Sequence, residues 1–124
     1  DCDVIQADGG TRTASITGAY VAAHLAFQGV RRLGLIKEIP LTQPVAAISC
    51  GIYNGNAVLD LDYAEDSNAG ADANFVLAGN GGIVEVQATA EDVPFDRAAY
   101  DQMFALAEKG CKELFAKQKQ ALGL

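Results

Sequence analysis

The sequence predicts a single α+β domain, residues 1–124, with the element order β-α-β-β-β-β-α. Two segments with apolar residues at helical spacing enclose short apolar strands, which are separated by glycine-rich and Asn-Gly turns. The 124 residues are 50% hydrophobic and 20% charged, a composition that supports one core and excludes a disordered chain. A chain of this length buries roughly two-thirds of the surface exposed on unfolding, so it needs neither disulfides nor metals to fold.

The first half of the chain is predicted to form a strand, a helix and a second strand. Residues 2–5 are mainly apolar and precede a tight glycine turn, which indicates a short first strand. Apolar residues then recur every three or four positions over about residues 13–33, and Gly34 ends this helix. Two prolines make residues 40–44 a connector, and the apolar run 45–53 predicts a buried strand.

The second half is predicted to contain two hairpins and a long final helix. Asn54-Gly55 is a hairpin turn signal, because both residues tolerate positive φ, and a strand follows over about residues 57–63. Residues 75–78 and 83–89 form another hairpin around a glycine-rich turn. Asp96 follows a proline and is a suitable N-cap for the last helix.

Charge and cysteine content restrict the class of protein. Nine Lys and Arg against 16 Asp and Glu give a net charge of −7, which argues against a domain that holds nucleic acid by charge alone. Cys2, Cys50 and Cys111 form no CxxC pair, so we expect core thiols and a reducing, cytoplasmic setting. Neither a membrane span nor a secretory signal is predicted. The chain starts without methionine in a predicted strand, which suggests that it begins inside a larger protein.

The junction between the first strand and the first helix is a candidate anion site. Gly9 and Gly10 let an anion approach the backbone, and the free N–H groups of a helix start attract phosphate. Thr11 adds a hydroxyl donor, and Arg12 can hold two oxygens at once. The alternative is a plain turn with a solvated arginine.

The segment that follows the first hairpin turn is strongly acidic. It carries four acidic residues within seven positions, Asp60, Asp62, Glu65 and Asp66. Alternation along a strand places Asp60 and Asp62 on one face, opposite Leu59, Leu61 and Tyr63. Such carboxylates suit Mg²⁺ or a general acid, and the alternative is a solvated strand face. An anion site and a cation site in one small domain suggest phosphoryl chemistry, whereas the single His24 is expected to have a structural or surface role.

Several segments match the signature of a known family. They are residues 2–19, Leu59-Asp-Leu-Asp-Tyr63, Glu65-Asp-Ser67, the Asp72 and Asn74 pair, Val84-Glu-Val-Gln87, Thr89-Ala-Glu91, Pro94-Phe95 and Leu106-Ala-Glu-Lys-Gly110. In these segments the chain resembles the bacterial ribonuclease PH family of phosphorolytic exoribonucleases. The resemblance covers essentially the whole chain, but only the C-terminal half of the family's sequence.

The resemblance implies one lobe of the ribonuclease PH-like fold and a phosphate-dependent 3′→5′ exoribonuclease. Such an enzyme trims tRNA 3′ ends, acts in tRNA and rRNA processing, and releases nucleoside diphosphates in a reversible nucleotidyltransferase reaction. The family's phosphate site maps to Gly10, Thr11 and Arg12, with inorganic phosphate as co-substrate. Its catalytic aspartates map to Asp60 and Asp66, either as Mg²⁺ ligands or, for Asp66 above all, as general acid.

The resemblance also implies partners. These are an RNA 3′ end, such as that of a tRNA precursor, the N-terminal half of the same protein, and further copies in a hexamer built as a trimer of dimers. The alternative is a catalytically incomplete half that serves as a structural ring component or an RNA-interaction component.

Overall fold

A computed structural model describes residues 1–91 and 93–124, and it confirms the α+β class. In chain order the elements are helix α1 (Thr11–Arg32), strands β1 (Val45–Tyr53) and β2 (Asn56–Leu59), helix α2 (Tyr63–Asp66), strands β3 (Ala71–Ala78) and β4 (Ile83–Ala90), and helix α3 (Arg97–Leu122). The described helices include none with the length and apolarity that a membrane crossing requires.

The four strands form one antiparallel sheet in the order β2-β1-β3-β4. The β1–β2 turn has the predicted geometry, since φ is 49° at Asn54 and 76° at Gly55. The predicted glycine-rich turn joins β3 to β4, where Ala78 N–H donates to the Gly82 carbonyl at 2.8 Å. Strand β1 is paired with β3 along most of its length, so these two strands form the centre of the sheet.

The hydrophobic core lies between one face of the sheet and α3. Alternate residues of β1 and β3 point into it and meet the buried side of α3. The buried members of this cluster are Ala46, Ile48, Cys50, Ala73, Phe75, Leu77, Met103, Ala107 and Cys111. Asp96 caps α3 as predicted, because its carboxylate accepts the Ala99 N–H at 2.8 Å.

Helix α1 lies beside the part of β1 that β2 does not reach. The Thr17 hydroxyl accepts the Ala47 N–H at 2.9 Å and donates to the Ala47 carbonyl at 3.0 Å. The Gln118 side-chain amide donates to the Val45 carbonyl at 2.8 Å and to the Thr17 carbonyl at 3.0 Å. Side chains of α1 and α3 therefore replace a neighbouring strand along this edge, where unpaired backbone groups would be costly.

The predicted first strand is wrong. Residues 1–8 carry no strand, and the side chains of Val4 and Ile5 are 57% and 99% exposed. A strand needs a neighbour to satisfy its backbone groups, and no strand of the described sheet pairs with this segment. An alternating apolar pattern can therefore predict a strand where no partner strand is available.

The predicted strand 57–63 is too long. Strand β2 ends at Leu59, because Asp60 adopts a positive φ of 58° that leaves the extended conformation. Asp62 then caps the short helix α2 in a reciprocal arrangement with Glu65. Leu61 is buried as expected, but Tyr63 is 70% exposed and does not share a core face with it.

The three cysteines do not share one environment. Cys50 and Cys111 are buried core thiols as expected, whereas Cys2 is exposed, because the segment that carries it is not part of the sheet. Burial raises the pKa of Cys50 to about 12, with further contributions from Cys111 and Asp60. Burial likewise raises the pKa of Cys111 to about 11.

Thiol titration of the native chain should therefore detect Cys2 alone at pH 8. Both core thiols have folded-state pKa values well above that pH, so they remain protonated and shielded. We expect one thiol per chain to react with a disulfide reagent in buffer and all three to react in denaturant. Rapid modification of the core thiols in buffer would contradict this assignment.

The substitution Thr17→Val should destabilise the fold by about 1 to 3 kcal/mol. Valine has a similar shape but leaves both the N–H and the carbonyl of Ala47 without the hydroxyl that they contact. The free energy of unfolding in urea measures this effect. Thr42→Val is the matched control, since Thr42 is exposed and its hydroxyl makes no hydrogen bond within the described residues.

Candidate functional site

The start of α1 has the features of an anion site. Gly10 is the N-cap, with a φ of 68° that glycine adopts without strain, and no side chain caps the helix. The N–H groups of the first turn are left without intrahelical acceptors and carry the positive end of the helix dipole. An anion placed there would satisfy these donors.

The hydroxyl of Thr11 is not a free donor. It donates to the Asp8 carbonyl at 2.7 Å, and the Thr13 hydroxyl donates to the Gly10 carbonyl at 2.8 Å. These bonds hold the glycine loop against the first turn of α1. The Thr11 hydroxyl thus helps to shape the loop, and its backbone N–H lies in the first turn. Its role in binding phosphate stays a prediction.

The glycine loop is docked on the acidic segment. A Cβ at Gly9 would collide with the Leu61 carbonyl oxygen, so only glycine fits at this position. The Asp8 carboxylate accepts the Gly9 N–H at 2.8 Å and the Tyr63 N–H at 2.7 Å. Asp8 thereby connects the residues before α1 to the first residue of α2.

This docking brings most of the predicted site residues into one pocket of about 250 Å³. Gly10, Thr11, Arg12 and Asp66 all line it, although the last of these lies more than 50 positions further along the sequence. The other lining residues are Asp8, Ser49, Asp72, Ala73 and Asn74. A helix start, an arginine and a carboxylate at the end of α2 therefore surround the same space.

Asp60 also lies close to Gly10. It lines a neighbouring pocket of about 390 Å³, and its Oδ1 is 3.8 Å from the position that a Cβ of Gly10 would occupy. Asp60 and Asp66 thus line two neighbouring pockets that share Gly10. Among the described residues, no three His, Cys, Asp or Glu side chains come together in an arrangement that could hold a metal ion.

Arg12 is the one basic residue of the described chain that lines the 250 Å³ pocket. Its Nη2 donates to both oxygens of the Glu85 carboxylate, at 2.8 and 2.9 Å. Because Glu85 is on β4, the side chain of Arg12 extends from the start of α1 to this edge strand of the sheet. The sequence did not identify Glu85 as a partner of Arg12, because their contact depends on how β4 is paired in the folded sheet.

The floor of the pocket belongs to the sheet face opposite α3. Ser49, Asn74 and Gln87 are cross-strand partners and point to that face in one row. Ser49 is only 5% exposed, and its hydroxyl has no hydrogen-bond partner among the described residues. A buried polar group of this kind is normally satisfied by water or a ligand. A single serine inside the apolar run 45–53 was the available sequence signal for this position.

Comparisons with known proteins agree with this architecture. The rice protein Rrp46 has a solved structure with a TM-score of 0.76 at 20% identity, covering 98% of this chain and 52% of its own. An Archaeoglobus fulgidus exosome with RNA bound to the active site gives a TM-score of 0.56 at 15% identity, over 71% of this chain and 35% of its own. At such identities these likenesses concern the fold.

Sequence relatives are much closer. Ribonuclease PH of Rhodospirillum rubrum is 63% identical over 122 residues, which are 98% of this chain and 51% of that protein. Ribonuclease PH of Caulobacter vibrioides is 59% identical over 123 residues, which are 99% of this chain and 52% of that protein. The chain thus spans about half the length of the curated relatives that it matches.

The family comparison covers the sheet and much of α3. Residues 43–110 match the model described as 3′ exoribonuclease family, domain 2. This match takes in more than half of the chain, including Asp60, Asp66 and the strands that form the pocket floor. The chain therefore belongs to the 3′ exoribonuclease family, in which it represents domain 2.

Proposed function

We propose that the chain is the catalytic C-terminal half of a cytoplasmic, phosphate-dependent 3′→5′ exoribonuclease that trims tRNA 3′ ends. The observation that carries the proposal is the shared pocket of Gly10, Arg12 and Asp66. In this pocket, groups suited to binding an anion lie near a carboxylate, and this arrangement supports phosphorolysis. The identity to proteins named ribonuclease PH supports the substrate class.

The first task of the site is to hold inorganic phosphate. The first-turn N–H groups of Gly10 to Thr13 and the guanidinium of Arg12 would bind its oxygens. Thr11 would contribute its N–H, since its hydroxyl is engaged with Asp8. Binding in a fixed orientation turns the attack on RNA into an effectively unimolecular step.

The second task is to cleave the last phosphodiester. An oxygen of inorganic phosphate would attack the phosphorus of that bond, and the bond from phosphorus to the 3′ oxygen of the preceding nucleotide would break. Asp66 would donate a proton to this departing oxygen, and the terminal nucleotide would leave as a nucleoside diphosphate. The reverse reaction would extend RNA from nucleoside diphosphates.

Mg²⁺ is part of the proposal. Carboxylates are the ligands that this ion prefers, and it is often held by one or two of them together with substrate phosphates rather than by a full protein cage. Asp60, close to Gly10, would be its protein ligand, and Asp66 would be a ligand only in the alternative in which it acts as a carboxylate and not as the general acid. When bound, the ion would offset negative charge on the two phosphates.

The remainder of the enzyme would come from outside this chain. With a net charge of −7, these residues supply little attraction for RNA phosphates, so a basic surface on the N-terminal half would receive the RNA. We further propose a homohexamer, built as a trimer of dimers. The alternative is that the chain is a catalytically incomplete half that serves as a ring component. The match to only about half of each relative is compatible with this alternative.

Release of nucleoside diphosphate from an RNA with a single-stranded 3′ tail tests the proposal directly. We expect the product only when inorganic phosphate is present, and we expect RNA extension when nucleoside diphosphates replace phosphate. Hydrolysis to nucleoside monophosphates without phosphate would reject phosphorolysis. Phosphate-dependent release by the full-length protein, with none by residues 1–124 alone, would show that the N-terminal half completes the site.

Two substitutions should separate phosphate binding from proton transfer. Arg12→Ala should lower kcat/KM for phosphate by at least about tenfold, because a charge-assisted contact is lost. Asp66→Asn should lower kcat by about 10² to 10⁴ with little change in the phosphate KM, because the amide cannot donate the proton of a carboxylic acid. Arg97→Ala is the control, since Arg97 pairs with Asp101 on α3, away from the pocket. Wild-type turnover in either site variant would refute its assigned role.

A further inference from the structure

We infer that Glu85 is a positioning residue that holds Arg12 in the geometry needed to bind phosphate. The inference rests on the proposed function of Arg12. It concerns β4, a strand to which neither the sequence motifs nor the pocket lining assigns a role in the site.

The ion pair between the two residues connects the start of α1 with the edge strand β4. Arg12 is in the first turn of α1, whereas Glu85 pairs with Val76 across the β3–β4 ladder. Their side chains are 49% and 42% exposed, so the ion pair contributes little to the stability of the fold. Its effect is to restrict a long side chain that would otherwise sample many rotamers.

Arg12 can bind a second anion while it is paired with Glu85. Both carboxylate oxygens of Glu85 contact Nη2, and among the described residues Nε and Nη1 of Arg12 have no hydrogen-bond partner. An arginine presents donors on all three nitrogens. Glu85 can therefore anchor one nitrogen while the others bind a phosphate oxygen.

Other carboxylates would capture Arg12 if Glu85 were absent. Asp8, Asp66 and Asp72 line the same pocket as Arg12, and each would attract the freed guanidinium. An ion pair with any of them would fill the space proposed for phosphate. A pair with Asp66 would also engage the carboxyl proposed as the general acid. Glu85 thus keeps the guanidinium away from Asp66 and Asp72.

Glu85→Gln in the full-length protein tests this role. The variant removes the charge but keeps the side-chain length. We measure the Kd of inorganic phosphate by calorimetry, and the KM values of phosphate and RNA from nucleoside diphosphate release. Asp101→Asn is the matched control, because it breaks the other ion pair of the described chain, Arg97–Asp101, which is also 2.8 Å long and exposed.

We expect Glu85→Gln to raise the Kd and KM for phosphate by about fivefold, with the RNA KM and the thermal midpoint unchanged. In an Arg12→Ala background the same substitution should have no further effect, since the residue that it positions is gone. Asp101→Asn should match the wild type in all four quantities.

Unchanged or tighter phosphate binding by Glu85→Gln would overturn the inference, and tighter binding would show that Glu85 competes with phosphate instead. A full-sized effect in the Arg12→Ala background would overturn it too. If the wild type binds phosphate but releases no diphosphate, the proposed function fails while the Kd comparison still decides the role of Glu85. If the wild type binds no phosphate, both fail.

Discussion

The close approach of Gly9 to the backbone of Leu61 and Asp62 is the contact on which the rest of the site depends. It joins the loop before α1 to the segment before α2, and the Asp8 carboxylate completes the junction through the Tyr63 N–H. Without this junction, the start of α1 and the end of α2 would have no fixed relation. Because a side chain at Gly9 would collide with a carbonyl oxygen, the contact is a constraint of backbone shape rather than of charge.

Local patterns predicted the long elements well. Helical periodicity identified α1 and α3, and the Asn54-Gly55 turn identified the β1–β2 hairpin. These signals could be read directly because they depend on residues that are close in the sequence. The strand expected at residues 2–5 depended on a partner that the described sheet does not supply. The strand expected to reach Tyr63 ends at Leu59, where Asp60 adopts a positive φ. Asp62 and Glu65 then form a capping box, a signal that is visible in the sequence but was obscured by the alternation.

The candidate site was only partly accessible from the sequence. Gly10 and Arg12 belong to one sequence motif, and the family resemblance assigned Asp66 to the same site. The structure brings all three residues into one pocket. Ser49 and Glu85 could not be identified in the same way. Their places follow from the register of β1, β3 and β4, which is fixed by pairing between distant residues.

The pairing of Thr17 with Ala47 fixes how far α1 extends along the sheet. One hydroxyl contacts both the N–H and the carbonyl of one residue, so moving the helix by a single turn would break both hydrogen bonds at once. Thr11 and Thr17 are separated by six residues, or about 9 Å of helix. The helix therefore sets a fixed distance between the edge of the sheet and the anion-binding end of α1. The position of the pocket is therefore fixed by the length of this helix together with the Gly9 contact that precedes it.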